Sequence, residues 1–156
     1  MTGEDRLQHA LDLAYRYLGH RDRTVAEVRA HLEAKGVEPP VVDEALEELS
    51  HQGYLDDARY ARRFVEDRRT IDAWGAERIE RRLLAVGVDR ALIASALQDR
   101  GAGEELEAAV AVLRRRFPQA PSDDRDRERA LGILVRKGYD LELAYDAVRA
   151  FERDAA

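Results

Sequence analysis

The segment AEVRAHLEAKGV, residues 26–37, sets Val28 and Leu32 one helical turn apart and closes on Gly36 and Val37. An offset of 51 residues leads to ERIERRLLAVGV (77–88), where Ile79, Leu83, Gly87 and Val88 take the same places. The same step again reaches ERALGILVRKGY (128–139), with Ala130, Leu134, Gly138 and Tyr139. The register continues past the glycine. Val41, Val42, Ala45 and Leu46 match Leu92, Ile93, Ala96 and Leu97, and these match Leu143, Ala144, Ala147 and Val148. One apolar pattern returning three times at constant spacing marks a repeat architecture. The modules are 1–53, 54–101 and 102–156.

Each module reads as three helices. In the first, Leu7, Leu11, Ala14, Tyr15 and Leu18 recur at helical spacing. Thr24-Val25-Ala26-Glu27 is a capping box that opens the second helix. Gly36 ends that helix, Pro39 or Pro40 opens the third, and Gly53 closes it. The offset makes Thr24, Gly75 and Asp126 equivalent, and all three residue types are accepted N-caps. Trp74 and Ile79 stand at hydrophobic-staple spacing around the second of these. PQAPSDDRD (118–126) is the longest loop candidate. No segment alternates as a strand would. The expected fold is all-α, with three tandem helix–turn–helix-like modules forming an elongated, curved body. A module of this size is marginal alone, so neighbours must support each other.

Composition narrows the function. The 156 residues are 45% hydrophobic and 37% charged and include no cysteine, which removes disulfides and thiolate metal sites. No apolar run is long enough to span a membrane, and the N-terminus lacks a signal-peptide pattern. A monomeric cytoplasmic protein without membrane attachment is expected. The net charge of −6 is unlike that of a dedicated duplex-DNA binder.

Asp56 and Asp57, in GYLDDARYARRFVEDRR (53–69), are the obvious candidates for acid–base or metal chemistry. They also stand where a helix must begin. Asp56 as N-cap makes Leu55 and Tyr60 a staple pair, and Asp57 then lies in the first turn, where the helix dipole favours negative charge. Adjacent side chains on a helix diverge, and Asp67 and Asp72 lie in other phases. His9, His20, His31 and His51 form no i, i+4 pair. Ser50, Ser95 and Ser122 have no base partner, and Gly101-Ala102-Gly103 lacks the lysine of a phosphate loop. No catalytic residue, metal ligand or cofactor site is therefore assigned, and no enzyme activity is expected.

Charge is unevenly placed. Module one carries 6 basic and 11 acidic residues, module two 10 and 9, and module three 10 and 12. Arg78, Arg81 and Arg82 share one face of a helix, opposite Ile79 and Leu83. Arg114, Arg115 and Arg116 end another. These six arginines are the candidate partner-binding residues, since a guanidinium fork suits phosphate or carboxylate.

The chain resembles the RecX family of recombinase regulators. The resemblance is carried by Gly53-Tyr54-Leu55-Asp56-Asp57, by Arg59-Tyr60-Ala61 and Phe64, and by Gly75, Arg78-Ile79, Leu83 and Gly87-Val88. A third set is Leu131, Leu134, Lys137-Gly138-Tyr139-Asp140 and Ala147-Val148. It covers nearly the whole chain. It implies a non-enzymatic protein that binds the RecA recombinase filament on single-stranded DNA, with weak single-stranded DNA contact of its own. It also implies modulation, chiefly inhibition, of the recombinase's ATPase, strand exchange and coprotease activities, and a place in DNA repair, recombination and the SOS response. Two rivals are a DNA-binding array of helix–turn–helix-like modules and a hydrolase using Asp56 and Asp57. Net charge disfavours the first, and the lack of further ligands disfavours the second.

Overall fold

The computed structural model describes residues 1–155, and among these there are nine α-helices and no strand. They are α1 (Gly3–Leu18), α2 (Val25–Ala34), α3 (Pro39–His51), α4 (Asp57–Asp67), α5 (Ala76–Ala85), α6 (Arg90–Leu97), α7 (Ala102–Arg116), α8 (Asp124–Lys137) and α9 (Leu141–Ala155). A π-helical turn, Arg68–Asp72, continues α4.

The repeat positions are the core positions. Val28, Ile79 and Ala130 are fully buried, as are Leu32, Leu83 and Leu134. Val42, Ile93 and Ala144, and Ala45, Ala96 and Ala147, are buried as well. The glycine after each middle helix has positive φ: 82° at Gly36, 86° at Gly87 and 99° at Gly138. Thr2 and Thr24 both form capping boxes, with Asp5 and Glu27 reaching back to the cap N–H. The third middle helix departs from expectation. Asp123, not Asp126, caps α8, and its carboxylate accepts the Asp126 N–H at 2.9 Å. Three aspartates in SDDRD can each cap, and the outermost wins. That choice adds a turn to the helix and leaves Asp124 and Asp126 in the first turn, where the dipole stabilises them. The loop is thus shorter than expected, and its last three residues are helical.

The helices gather into two compact units. One comprises residues up to Arg62 together with Leu83–Ile93, and the other comprises Arg63–Arg82 together with the chain from Ala94 onward. In the first, Ala10, Leu11 and Ala14 of α1 bury against Val28 and Leu32 of α2 and Val42, Ala45, Leu46 and Leu49 of α3. In the second, Ala109, Val110, Val112 and Leu113 of α7 meet Ala130, Ile133 and Leu134 of α8 and Ala144, Ala147, Val148 and Phe151 of α9.

Each unit contains one junction between middle helices, and the two junctions are built alike. In the first, Thr24 at the start of α2 donates its hydroxyl to the Val86 carbonyl at the end of α5, at 2.5 Å. In the second, the N–H groups of Gly75 and Glu77 at the start of α5 donate to the carbonyls of Lys137 and Gly138 at the end of α8, at 2.8 and 3.0 Å. The repeat offset maps Thr24 onto Gly75 and Val86 onto Lys137. Helix ends carry unpaired donors at one terminus and unpaired acceptors at the other; at the second junction they satisfy each other directly, and at the first the Thr24 hydroxyl supplies the donor. The approach is so close that a Cβ on Gly87 would stand 2.3 Å from the Ala26 Cβ. A Cβ on Gly138 would stand 2.2 Å from the Arg78 Cβ and 2.6 Å from its backbone nitrogen.

Two stability measurements test this. Leu83→Ala should cost about 2–5 kcal/mol in denaturant unfolding, the range for a buried leucine. Gly36→Ala pays only for left-handed backbone, roughly 1–2 kcal/mol, because nothing lies near its missing Cβ. Gly138→Ala pays that and a collision with backbone, about 1–3 kcal/mol more. Equal losses at Gly36 and Gly138 would show that the second junction is not tight.

Candidate functional site

Asp56 and Asp57 end two different helices. The Asp56 carboxylate accepts the Arg59 N–H at 3.0 Å, and its carbonyl accepts the Tyr60 N–H at 2.9 Å, which makes it the N-cap of α4. Asp57 does what no local pattern announces. Its Oδ1 accepts the N–H of Val25, the first residue of α2, at 3.0 Å. Thr24 beside it is fully buried yet satisfied. Its hydroxyl accepts from Glu27 at 3.1 Å and donates to Val86, and its own N–H reaches the Glu27 carboxylate. Desolvation raises the Asp57 carboxyl above its ordinary value. The Val25 hydrogen bond opposes that rise, and nearby Asp89, Asp56 and Glu27 add to it. Among the described residues, no three His, Asp or Glu side chains gather as a metal site would need.

The six candidate arginines divide sharply. Arg78 is half-buried. Its guanidinium lies 4.0 Å from the Trp74 ring centroid, and its Nη1 donates to the Arg136 carbonyl at 3.2 Å. Arg78 therefore ties the end of α8 to the start of α5. Arg114 is exposed but paired with Asp154 at 2.7 Å. Arg81, Arg82, Arg115 and Arg116 are exposed, and among the described residues none of them forms an ion pair. Each arginine group adjoins the C-terminal end of α8: Arg78 through the Arg136 carbonyl, and Arg115 and Arg116 across a cleft that Lys137 also lines.

A partly buried polar cluster, missed at the level of sequence, supports this region. Arg69 donates to Asp99 at 2.8 Å and to the Leu97 carbonyl at 3.2 Å, closing α6. Arg100 pairs with Glu105 at 2.6 Å, and the other Glu105 oxygen accepts the Ala76 N–H at 3.3 Å. The Tyr139 hydroxyl donates to the Ala73 carbonyl at 2.7 Å. Ala73 has left-handed backbone, φ 55°, and directly follows the π-helical turn. Burial raises the Tyr139 hydroxyl pKa, so it stays a donor. The only sequence signal was the tyrosine at an otherwise aliphatic repeat position.

Asp57 supplies the pH test. Because its folded-state carboxyl binds a proton more tightly than in the unfolded chain, its contribution to stability falls as pH rises from the ordinary carboxylate value through its raised one. Asp57→Asn keeps an acceptor for Val25 and removes that fall. At pH 7 it should be at least as stable as the parent, while Asp57→Ala should lose about 0.5–2 kcal/mol. Urea titrations across pH 4–8 measure both, and an Asn variant as damaged as the Ala variant would mean that the charge itself is required.

Comparison with known proteins finds three-helix domain models along the chain. Family models for the first, second and third three-helix domains of RecX match residues 10–49, 56–97 and 103–148. The Regulatory protein RecX of Trichlorobacter lovleyi is 36% identical over 148 residues, spanning 92% of this chain and 96% of its own. That of Deinococcus radiodurans is 32% identical over 148 residues, spanning 95% and 71%. The crystal structure of RecX from Lactobacillus salivarius superposes with a TM-score of 0.84 at 19% identity, covering 96% of this chain and 99% of that one, a likeness of fold. With three successive domain models matched in order and relatives aligned almost end to end, the chain belongs to the RecX family.

Proposed function

We propose that this protein binds the RecA recombinase filament on single-stranded DNA and lowers its ATP hydrolysis, strand exchange and coprotease activity, performing no covalent chemistry itself. The observation that carries the reading is membership of a family whose curated members are named as regulatory proteins, joined to four exposed arginines with no ion-pair partner among the described residues. The carboxylates that resembled a catalytic pair are instead bound to backbone N–H groups at two helix starts.

Of the six candidate arginines, binding falls to the four that form no ion pair or backbone clamp among the described residues. Arg81 and Arg82 stand on α5, and Arg115 and Arg116 stand at the end of α7. Arg78 and Arg114 are internally engaged, and their contribution is to hold structure. The negative charge of the chain argues against phosphate attraction as the main force. Pure phosphate binding weakens steeply with salt because neutralised phosphates release counterions. A complex that also buries apolar and hydrogen-bonded protein contacts weakens less.

The test is recombinase ATPase on single-stranded DNA, titrated with parent, Arg81→Glu/Arg82→Glu and Arg115→Glu/Arg116→Glu proteins at two salt concentrations. The parent should suppress hydrolysis, and at least one double reversal should raise the concentration needed by about tenfold without loss of stability. A parent that leaves hydrolysis and filament length unchanged would remove the regulatory reading. Two reversed proteins that both act like the parent would place the contact elsewhere.

A further inference from the structure

Around the end of α7, apolar and basic groups meet in one open cleft. Ile71, Ala73, Val112 and Ile133 supply the apolar lining, and Arg115, Arg116 and Lys137 supply cations. The cleft holds about 280 Å³. Ile71 is 69% exposed, although it sits between two structured segments. Ile71 belongs to the π-helical turn Arg68–Asp72, and that turn is pinned twice. Its last residue, Asp72, pairs with Arg68 at 2.5 Å, and the Asp72 carbonyl accepts from Lys137 Nζ at 2.8 Å. π-turns of this kind recur at functional sites.

We infer that this cleft docks an acidic, extended protein segment, whose apolar side chain packs on Ile71 and whose carboxylates meet Arg115, Arg116 and Lys137. Charge complementarity argues for the occupant. The one acidic side chain lining the cleft, Asp72, is already paired to Arg68, so three cations face the opening unopposed by a free carboxylate of the lining. Guanidinium forks bind carboxylates bidentately. An exposed isoleucine above an apolar floor suits a side-chain anchor. It offers no stacking surface to a nucleic-acid base, and aromatic platforms are what single-strand binders use. The inference deepens the contact assignment made above. Its probe is a peptide and not recombinase, so the two readings can fail separately.

The experiment is fluorescence anisotropy on the full chain. The probes are a short labelled peptide of glutamates and aspartates around a Leu-Phe pair, its Ala-Ala counterpart, and labelled oligothymidylate. The variants are Ile71→Ser and Arg115→Glu/Arg116→Glu, with circular dichroism to confirm folding. Parent protein should prefer the Leu-Phe peptide over its counterpart by about tenfold, the scale of an apolar anchor. Ile71→Ser should erase that preference and leave the residual charge-driven binding. The double reversal should weaken both peptides. The inference is overturned if Ile71→Ser keeps the preference, or if the double reversal binds as the parent does. It is also overturned if oligothymidylate outcompetes the peptide regardless of Ile71, which would assign the cleft to nucleic acid.

Discussion

A helix exposes unpaired N–H groups at one end and unpaired carbonyls at the other, and in this chain those two deficits cancel across repeats. The N–H groups of Gly75 and Glu77 find the carbonyls of Lys137 and Gly138. Thr24 finds Val86. Each such bond contributes about 0.5–1.5 kcal/mol net, but leaving a buried end unpaired would cost more. The geometry demands close backbone approach, hence residues without a Cβ at Gly75, Gly87 and Gly138. Glycine after α5 and after α8 thus does two tasks at once. It turns the chain with positive φ, and it admits the start of another helix.

That use of helix ends decides which charges remain for a partner. Arg78 stands where α8 meets α5, so it is spent on Trp74 and the Arg136 carbonyl. Arg69 and Arg100 are spent on closing α6 and seating Glu105 under the first turn of α5. Arg81, Arg82, Arg115 and Arg116 make none of these junction bonds and stay exposed. Contact residues in this protein are therefore sought among arginines that the fold does not need. Asp57 illustrates the converse, because a residue with the look of chemistry is consumed by the first N–H of α2.

Much of this was legible in the sequence, for a physical reason. Core positions must recur with the helical period, so Val28, Ile79 and Ala130 announced themselves, as did Leu32, Leu83 and Leu134. Capping by Thr24 and Asp56 is local chemistry, complete within four residues. What stayed hidden depends on residues far apart in sequence. Nothing near Asp57 names Val25, and nothing near Arg78 names Arg136. The π-helical turn at Arg68–Asp72 has no composition signal, because its extra residue is accommodated by the Tyr139 hydroxyl and the Lys137 amine, both more than sixty positions away. The cap of α8 was misplaced because three aspartates compete and local rules do not rank them.

The pairing of helix ends is most directly tested by native-state hydrogen exchange at the amides of Gly75 and Glu77. First-turn amides of a helix have no intrahelical acceptor and ordinarily exchange early. Ala102 and Gly103, which open α7 behind a cap that makes no side-chain bond, provide the internal reference. Protection of Gly75 and Glu77 close to that of Leu134 in the core of α8 is the expected result. Exchange as fast as at Ala102 and Gly103 would contradict it, and the second junction would then be a contact without a bond.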